Sequence, residues 1–150
     1  MDHLVSRGLR CITVLDISGE ALARARSRLG AARQAVTWIE ADVTGDWPVP
    51  AVDIWHDRAL FHFLTGAADR DAYRARAREA VRPGGALILA AFGPDGPGKC
   101  SGLPVVRYSP EALAAELGAP FELVESVPEL HHTPSGSTQA FVYSRFRRRE

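Results

Sequence analysis

Residues 82–92 read Arg-Pro-Gly-Gly-Ala-Leu-Ile-Leu-Ala-Ala-Phe, and this stretch decides the fold. The continuous apolar run at 86–92 is typical of a strand that is buried on both faces. Apolar residues recur at helical spacing just before it, from Tyr73 to Val81, and this pattern predicts a helix over 67–81. The Arg-Pro-Gly-Gly segment is expected to stop that helix, because proline and glycine disfavour helical continuation.

The same succession of a predicted helix and a predicted strand extends toward the amino terminus. Ser18 can cap a helix over 19–29, and Gly30 can close it. Short apolar runs flank that helix, and another follows a turn-rich loop. The predicted strands are 11–16, 35–40 and 52–56, with a short helix over 58–64 after the last of them. Such alternation predicts an α/β fold whose mostly parallel sheet carries helices on both faces.

The carboxyl-terminal third departs from this alternation. A long glycine- and proline-rich loop at 93–108 is expected to be functional, since long loops inside compact domains usually are. Ser109 then caps a helix with Pro110 at its first position. Strands are predicted at 121–129 and 139–146, joined through His-Thr-Pro-Ser-Gly-Ser-Thr at 132–138. This connection is too short for a parallel crossover, so the last two strands are predicted to be antiparallel.

Composition narrows the class of protein. A chain of 150 residues fits one domain, 1–150, and its formal net charge of zero argues against a nucleic-acid binder. No apolar run is long enough to span a membrane, and the start has no signal-peptide architecture. Cys11 and Cys100 make neither a disulfide framework nor a zinc site, so a cytoplasmic setting without a bound metal is expected.

Acidic residues follow the first two predicted strands. In an open α/β sheet, ligands bind beyond the carboxyl ends of the strands. Asp16 can accept both hydroxyls of a ribose there, or can simply begin a helix. Asp42 can take an adenine amino group while Val43 offers a backbone N–H, or Asp42 can close its own turn. The residues alone leave these alternatives open.

The third predicted strand ends in Trp-His-Asp-Arg at 55–58 and continues into Ala-Leu-Phe-His-Phe. Asp57 could hold a cationic amino group, and Arg58 could hold Asp57 or a carboxylate. His62 lies one helical turn beyond Arg58, so it could face a substrate or simply pack within the fold.

These segments resemble the class I S-adenosylmethionine-dependent methyltransferases over essentially the whole chain. The acid at 16, the Asp-Val pair at 42–43, the Asp-Arg turn at 57–58 and the Arg-Pro-Gly-Gly lead-in follow that family's order and spacing. The segment 55–64 is similar to bacterial small-molecule-type members and distantly to thiopurine methyltransferases. The terminal antiparallel pair also fits, whereas dinucleotide dehydrogenases normally lack it. The resemblance implies a Rossmann-like three-layer sandwich whose acidic turns converge along one rim of the sheet.

The resemblance also implies roles. Asp16 and Ile17 would contact the ribose, Asp42 and Val43 the adenine, and the turn with Asp57 and Arg58 would border the methionine end of S-adenosylmethionine. The reaction would be in-line methyl transfer, which needs mainly positioning, to a small-molecule acceptor, with a protein side chain as the alternative. Where the acceptor is protonated, His62 or His56 could serve as the base, and nothing in the sequence selects one.

The family's first strand and glycine-rich turn have no counterpart before residue 11, so the chain is expected to begin roughly 35–45 residues into the fold. A misplaced start codon, a natural truncation and a trimmed chain would each give this pattern. The strands at 11–16 and 52–56 would each lose a neighbour, and their exposed edges could pair directly or support self-association. A catalytically silent methyltransferase-like module for binding or assembly is therefore the alternative function, and a nicotinamide oxidoreductase is a more distant one.

Without the glycine-rich turn, the backbone N–H groups that hold the methionine moiety are missing. We therefore predict that the 150-residue chain binds S-adenosylmethionine weakly or not at all. Isothermal titration calorimetry measures this directly, and submicromolar affinity would contradict the prediction.

Overall fold

The computed structural model describes residues 1–133 and 136–150, which form two compact units, 1–48 and 49–150. The central residues of the predicted 132–138 connection, 134 and 135, lie outside the described residues. Among the described residues, no helix has both the length and the apolar character needed to cross a bilayer.

The first unit is a parallel strand pair with a helical connection. Helix α1 (Asp2–Ser6) precedes strand β1 (Ile12–Asp16), and helix α2 (Gly19–Leu29) runs through a 3-10 helix (Gly30–Ala35) into β2 (Val36–Glu40). Strands β1 and β2 pair in register from Ile12 opposite Val36 to Asp16 opposite Glu40. The predicted start of α2 is confirmed, because Ser18 Oγ accepts a hydrogen bond from the Ala21 N–H at 3.2 Å.

The second unit holds a four-stranded sheet and its helices. Its strands are β3 (Val52–Arg58), β4 (Val81–Phe92), β5 (Lys99–Cys100), β6 (Leu103–Pro104), β7 (Phe121–His132) and β8 (Thr138–Arg148). A 3-10 helix (Phe61–Phe63) and the helices α3 (Ala67–Ala80) and α4 (Pro110–Leu117) connect them. The sheet order is β3-β4-β8-β7, with β3 and β4 parallel and the two pairs made by β8 antiparallel. The predicted α/β class and the inserted antiparallel last strand are confirmed.

Strand β4 lies at the centre of the second unit's core. It is hydrogen-bonded on both edges, and from Leu89 to Phe92 every residue is fully buried. Tyr73 and Ala77 of α3, Leu113 of α4 and Phe146 of β8 are also fully buried. The continuous apolar run in the sequence is explained by this position, because a central strand has neither a wet face nor a free edge.

Three local features differ from the sequence predictions. Strand β3 continues to Arg58, and the helix predicted over 58–64 is only the single 3-10 turn Phe61–Phe63, because Ala59 has a φ of +63° that ends regular backbone there. Strand β4 begins at Val81, so the Arg-Pro-Gly-Gly segment is an irregular part of the strand. The predicted loop at 93–108 contains the hairpin β5–β6, in which two residues of each strand are paired.

Gly85 shows why the segment before the apolar run contains glycine. A Cβ at this position would lie 2.8 Å from the Arg82 carbonyl oxygen and 2.9 Å from the Asp53 carbonyl oxygen. Any side chain would therefore push β3 and β4 apart where their register shifts between Val52 and Ile54.

Because β4 lies in the core, truncating one of its buried side chains is expected to destabilise the protein more than truncating an exposed side chain. Leu89→Ala removes a fully buried side chain and is expected to lower the free energy of unfolding by about 2–5 kcal/mol. Leu130→Ala on β7 is the control, since Leu130 is 66% exposed and its truncation is expected to change stability by less than about 0.5 kcal/mol. Urea denaturation followed by circular dichroism measures both, and equal effects would contradict the assignment of β4 as the core strand.

Candidate functional site

Asp16 ends β1 and begins the turn into α2. Its Oδ1 accepts a hydrogen bond from the Ser18 N–H at 2.9 Å, and its carbonyl oxygen accepts one from the Ala41 N–H at 3.1 Å. The structure gives no partner among the described residues to the second carboxylate oxygen, Oδ2. The neighbouring Ile17 side chain is 70% exposed. Asp16 therefore both begins the helix and keeps one oxygen available for a ligand.

Asp42 closes the turn after β2. Its Oδ1 accepts hydrogen bonds from the Thr44 hydroxyl at 2.7 Å and the Thr44 N–H at 2.8 Å. These bonds hold the pKa of Asp42 below its usual range, with the hydroxyl as the larger cause. Val43 is buried, and its carbonyl oxygen accepts a hydrogen bond from Trp47 Nε1 at 3.2 Å. The self-closing turn foreseen as an alternative is formed through one oxygen of the carboxylate.

The first unit brings these two turns together. Asp16 lies opposite Glu40 in the β1–β2 register, so the segments that follow the two strands leave from the same end of the pair. The sequence reasoning missed Glu40 itself. A Cβ placed on Gly19 would lie 2.6 Å from Glu40 Oε2, so the Glu40 carboxylate covers the start of α2. An acid at the last position of a strand was the available signal.

Asp57 faces the interior of the second unit. It is 6% exposed, its Oδ2 accepts a hydrogen bond from the Tyr73 hydroxyl at 2.8 Å, and its Oδ1 accepts one from the Leu60 N–H at 3.1 Å. Burial raises the pKa of Asp57 to about 6, against the opposing effect of these hydrogen bonds. Burial, with the Asp57 charge beside it, raises the pKa of Tyr73 well above its usual value. Both carboxylate oxygens of Asp57 are thus used: Oδ1 fixes the turn that follows β3, and Oδ2 ties the end of β3 to α3.

Arg58 does not hold Asp57, which corrects one of the two predicted roles. Its Nε donates to the Tyr143 hydroxyl at 2.7 Å, and its guanidinium carbon lies 4.9 Å from the centre of the Phe141 ring. Tyr143 and Phe141 were missed by the sequence reasoning, because both lie on β8, more than 80 residues further along the chain. An aromatic pair at alternate positions of the last strand was the only signal available.

His62 is fully buried. Its Nδ1 accepts a hydrogen bond from the Phe92 N–H at 3.3 Å, and its ring lies 4.4 Å from the Phe92 ring between centres. Burial lowers the pKa of His62 to about 4. Its Nε2 is buried without a hydrogen-bond partner among the described residues. His62 is therefore packed within the fold, as the second alternative foresaw, but one ring nitrogen is left over.

His56 lies on β3 opposite Ile88. Partial loss of solvent, with a smaller contribution from the charge of Arg58, lowers its pKa below the usual range. The structure gives neither ring nitrogen of His56 a hydrogen-bond partner among the described residues.

A family model described as a methyltransferase domain matches residues 1–85. This match covers more than half of the 150 residues. The chain belongs to the methyltransferase domain family. By family it is an S-adenosylmethionine-dependent methyltransferase. No curated protein sequence matches it.

Solved methyltransferase structures share the fold. The N-methyltransferase NodS from Bradyrhizobium japonicum WM9 is 18% identical, with a TM-score of 0.70 over 92% of this chain and 73% of its own. The 1,6-didemethyltoxoflavin-N1-methyltransferase of Burkholderia thailandensis is 21% identical, with a TM-score of 0.73 over 99% of this chain and 65% of its own. A methyltransferase from Methanosarcina mazei is 14% identical, with a TM-score of 0.74 over 98% of this chain and 85% of its own.

The two buried titratable groups of the second unit predict opposing pH effects. Folded Asp57 keeps its proton up to about pH 6, whereas an unfolded aspartate loses it near pH 4, so its contribution to stability falls as pH rises through this window. Folded His62 stays neutral down to about pH 4, whereas an unfolded histidine is protonated near pH 6.5, so its contribution falls as pH decreases.

Two variants separate these contributions. On acidification from pH 7 to pH 4, Asp57→Asn is expected to lose about 2 kcal/mol of stability relative to the wild type, and His62→Phe to gain about 3 kcal/mol. Urea denaturation at several pH values gives the differences, with Asp95→Asn, at an exposed carboxylate, as the control. Parallel pH profiles of the two variants and the wild type would contradict this assignment.

Proposed function

We propose that this methyltransferase acts on a small-molecule acceptor and that residues 1–150 function as one methyltransferase-like domain. The family match at 1–85 supports the single domain, because it includes residues of both compact units. The name of the Burkholderia relative supports a small acceptor, since that enzyme is described with bound 1,6-didemethyltoxoflavin. The two unpaired cysteines support a reducing, cytoplasmic setting.

The observation that carries the cofactor assignment is the pair of acidic turns at one end of β1 and β2. Asp16 would accept the ribose hydroxyls through Oδ2 while Oδ1 stays bonded to Ser18, and exposed Ile17 would cover the sugar. Asp42 would accept the adenine amino group through Oδ2, because Thr44 occupies its Oδ1. Val43 would donate its backbone N–H to the adenine ring. The residues of the first unit therefore fit the nucleoside half of the cofactor.

The turn with Asp57 and Arg58 would border the methionine end. Asp57 would act by holding the turn, because Tyr73 and Leu60 already occupy its two oxygens. When bound, S-adenosylmethionine supplies an electrophilic methyl group on a sulfonium. Where the acceptor needs deprotonation, we assign the base to His56, because Nδ1 of His62 already accepts a hydrogen bond.

Methyl transfer by the 150-residue chain would be impaired, because the proposed contacts to S-adenosylmethionine are mostly side chains around its nucleoside.

Self-association is a further proposal, supported by Ile54 on β3. This side chain is 58% exposed on a strand whose recorded pairing, within the described residues, is with β4.

Binding of S-adenosylhomocysteine tests the cofactor assignment even at low affinity. We expect millimolar S-adenosylhomocysteine to shift the backbone amide resonances of residues 16–19 and 41–44 in a ¹⁵N-labelled chain. Asp16→Ala is expected to weaken this binding about tenfold, because it removes a charged hydrogen-bond acceptor.

Asp53→Ala is the matched control, since that carboxylate is 82% exposed and pairs with Arg82 on the second unit. It is expected to leave the titration unchanged. Shifts at neither turn, or equal losses in the two variants, would overturn the assignment.

A further inference from the structure

The hydrogen bond to His62 fixes the position of the proton on its ring. A backbone N–H can only donate, so Nδ1 of His62 must present its lone pair to the Phe92 N–H. A neutral imidazole carries one hydrogen, which is then on Nε2. His62 is neutral at pH 7, because burial holds its pKa near 4. Its remaining polar atom is therefore an N–H donor with no lone pair to take a proton.

This donor is buried and unused. Nε2 of His62 has no hydrogen-bond partner among the described residues, and the side chain is fully buried. Leaving a buried donor unpaired is unfavourable, so each such group in a native structure calls for an explanation. A bound group with an acceptor oxygen would remove this cost.

The surroundings select the chemistry of that group. His62 lies against the Phe92 and Phe141 rings, and Arg58 lies over the same Phe141 ring. The guanidinium uses Nε for Tyr143, and the structure gives its two terminal nitrogens no partner among the described residues. The cluster thus combines aromatic surfaces, the buried and unpaired Nε2 of His62, and the terminal nitrogens of Arg58, whose side chain is exposed and cationic. Planar anions with acceptor oxygens suit such surroundings.

The β5–β6 hairpin covers this cluster. Cys100 and Val105 pack against its buried members, and the Val106 N–H donates to the His62 carbonyl oxygen at 2.8 Å. Since His62 is fully buried under this segment, ligand binding at its Nε2 requires the hairpin to move, and that movement breaks the Val106–His62 hydrogen bond.

We propose that His62 and Arg58 bind a carboxylate or similar planar oxyanion of the methyl acceptor, with His62 as a neutral Nε2–H donor and not as a base. The inference rests on the proposed function, because it names the acceptor class of the same methyltransferase. Arg58 supplies the charge, His62 supplies a directed N–H donor, and the Phe141 ring, which both side chains adjoin, supplies a flat surface.

The tautomer is tested first, and without any ligand. Long-range ¹H–¹⁵N correlation spectra of the ¹⁵N-histidine-labelled chain at pH 7 are expected to show His62 protonated on Nε2 only. A hydrogen on Nδ1, or a doubly protonated ring, would overturn the proposal. This result does not depend on S-adenosylhomocysteine binding, so its failure is distinct from failure of the cofactor assignment.

Benzoate is the probe for the acceptor class, with benzylamine as the cationic control. We expect benzoate to shift the His62 Nε2 resonance saturably and benzylamine to leave it unchanged. Arg58→Gln is expected to weaken benzoate binding about tenfold or more, since it removes a charged donor. Arg145→Gln is the matched control, because Arg145 pairs with Glu125 on the β7–β8 hairpin and is expected to have no effect.

A second variant keeps the test decisive if Arg58→Gln perturbs folding. His62→Phe preserves the aromatic packing and removes the donor, so benzoate is expected to bind it several-fold more weakly. Amide spectra as dispersed as those of the wild type establish that each variant is folded. Unchanged benzoate affinity in folded variants at both positions, or absence of benzoate binding to the wild type, would overturn the proposal.

Discussion

The arrangement of the second unit depends on the pairing of β4 along both edges. Ala90 lies opposite Arg58 of β3 on one side and Tyr143 of β8 on the other. Residues in register across a sheet point to the same face, so the Arg58 guanidinium and the Tyr143 hydroxyl meet above a small alanine. Two residues along, Phe92 lies opposite Phe141 and gives its N–H to His62. The register of one buried strand therefore sets the Arg58–Tyr143 and Phe92–Phe141 contacts of the proposed oxyanion site.

Sequence patterns predicted the regular elements because their signals are local. Helix α2 begins at the predicted serine cap and ends before Gly30, whose φ of +56° few other residues adopt readily. The end of β3 could not be predicted in the same way. Ala59 adopts a φ of +63°, and the Asp57 side chain bonds the Leu60 N–H, so a tertiary contact overrides the helical periodicity of the segment. The predicted helix is consequently a single turn.

The candidate-site residues likewise divide into those that local sequence signals predict and those that depend on tertiary contacts. Asp16 and Asp42 could be found from the sequence, because acids directly after parallel strands fall at the ligand-binding edge of such sheets. The partners of Arg58 could not, since Tyr143 lies 85 residues further along the chain and only the strand order brings it near. The same holds for Asp57, whose neighbour Tyr73 becomes a hydrogen-bond donor only once α3 packs on the sheet.

The buried polar groups decide which charge faces a ligand at neutral pH. Asp57, with a pKa of about 6, is mostly ionised, but Tyr73 and Leu60 consume its two oxygens inside the unit. His62, with a pKa of about 4, carries no charge. Among Asp57, Arg58 and His62, Arg58 is therefore the one whose charge is not balanced by a bonded internal partner, since its partner Tyr143 is a neutral hydroxyl. A site built this way discriminates by charge through Arg58 and by geometry through His62. Protonating His62 would place a second positive charge in the same cluster, so the cost of burying that charge keeps the ring a directional donor rather than a proton carrier.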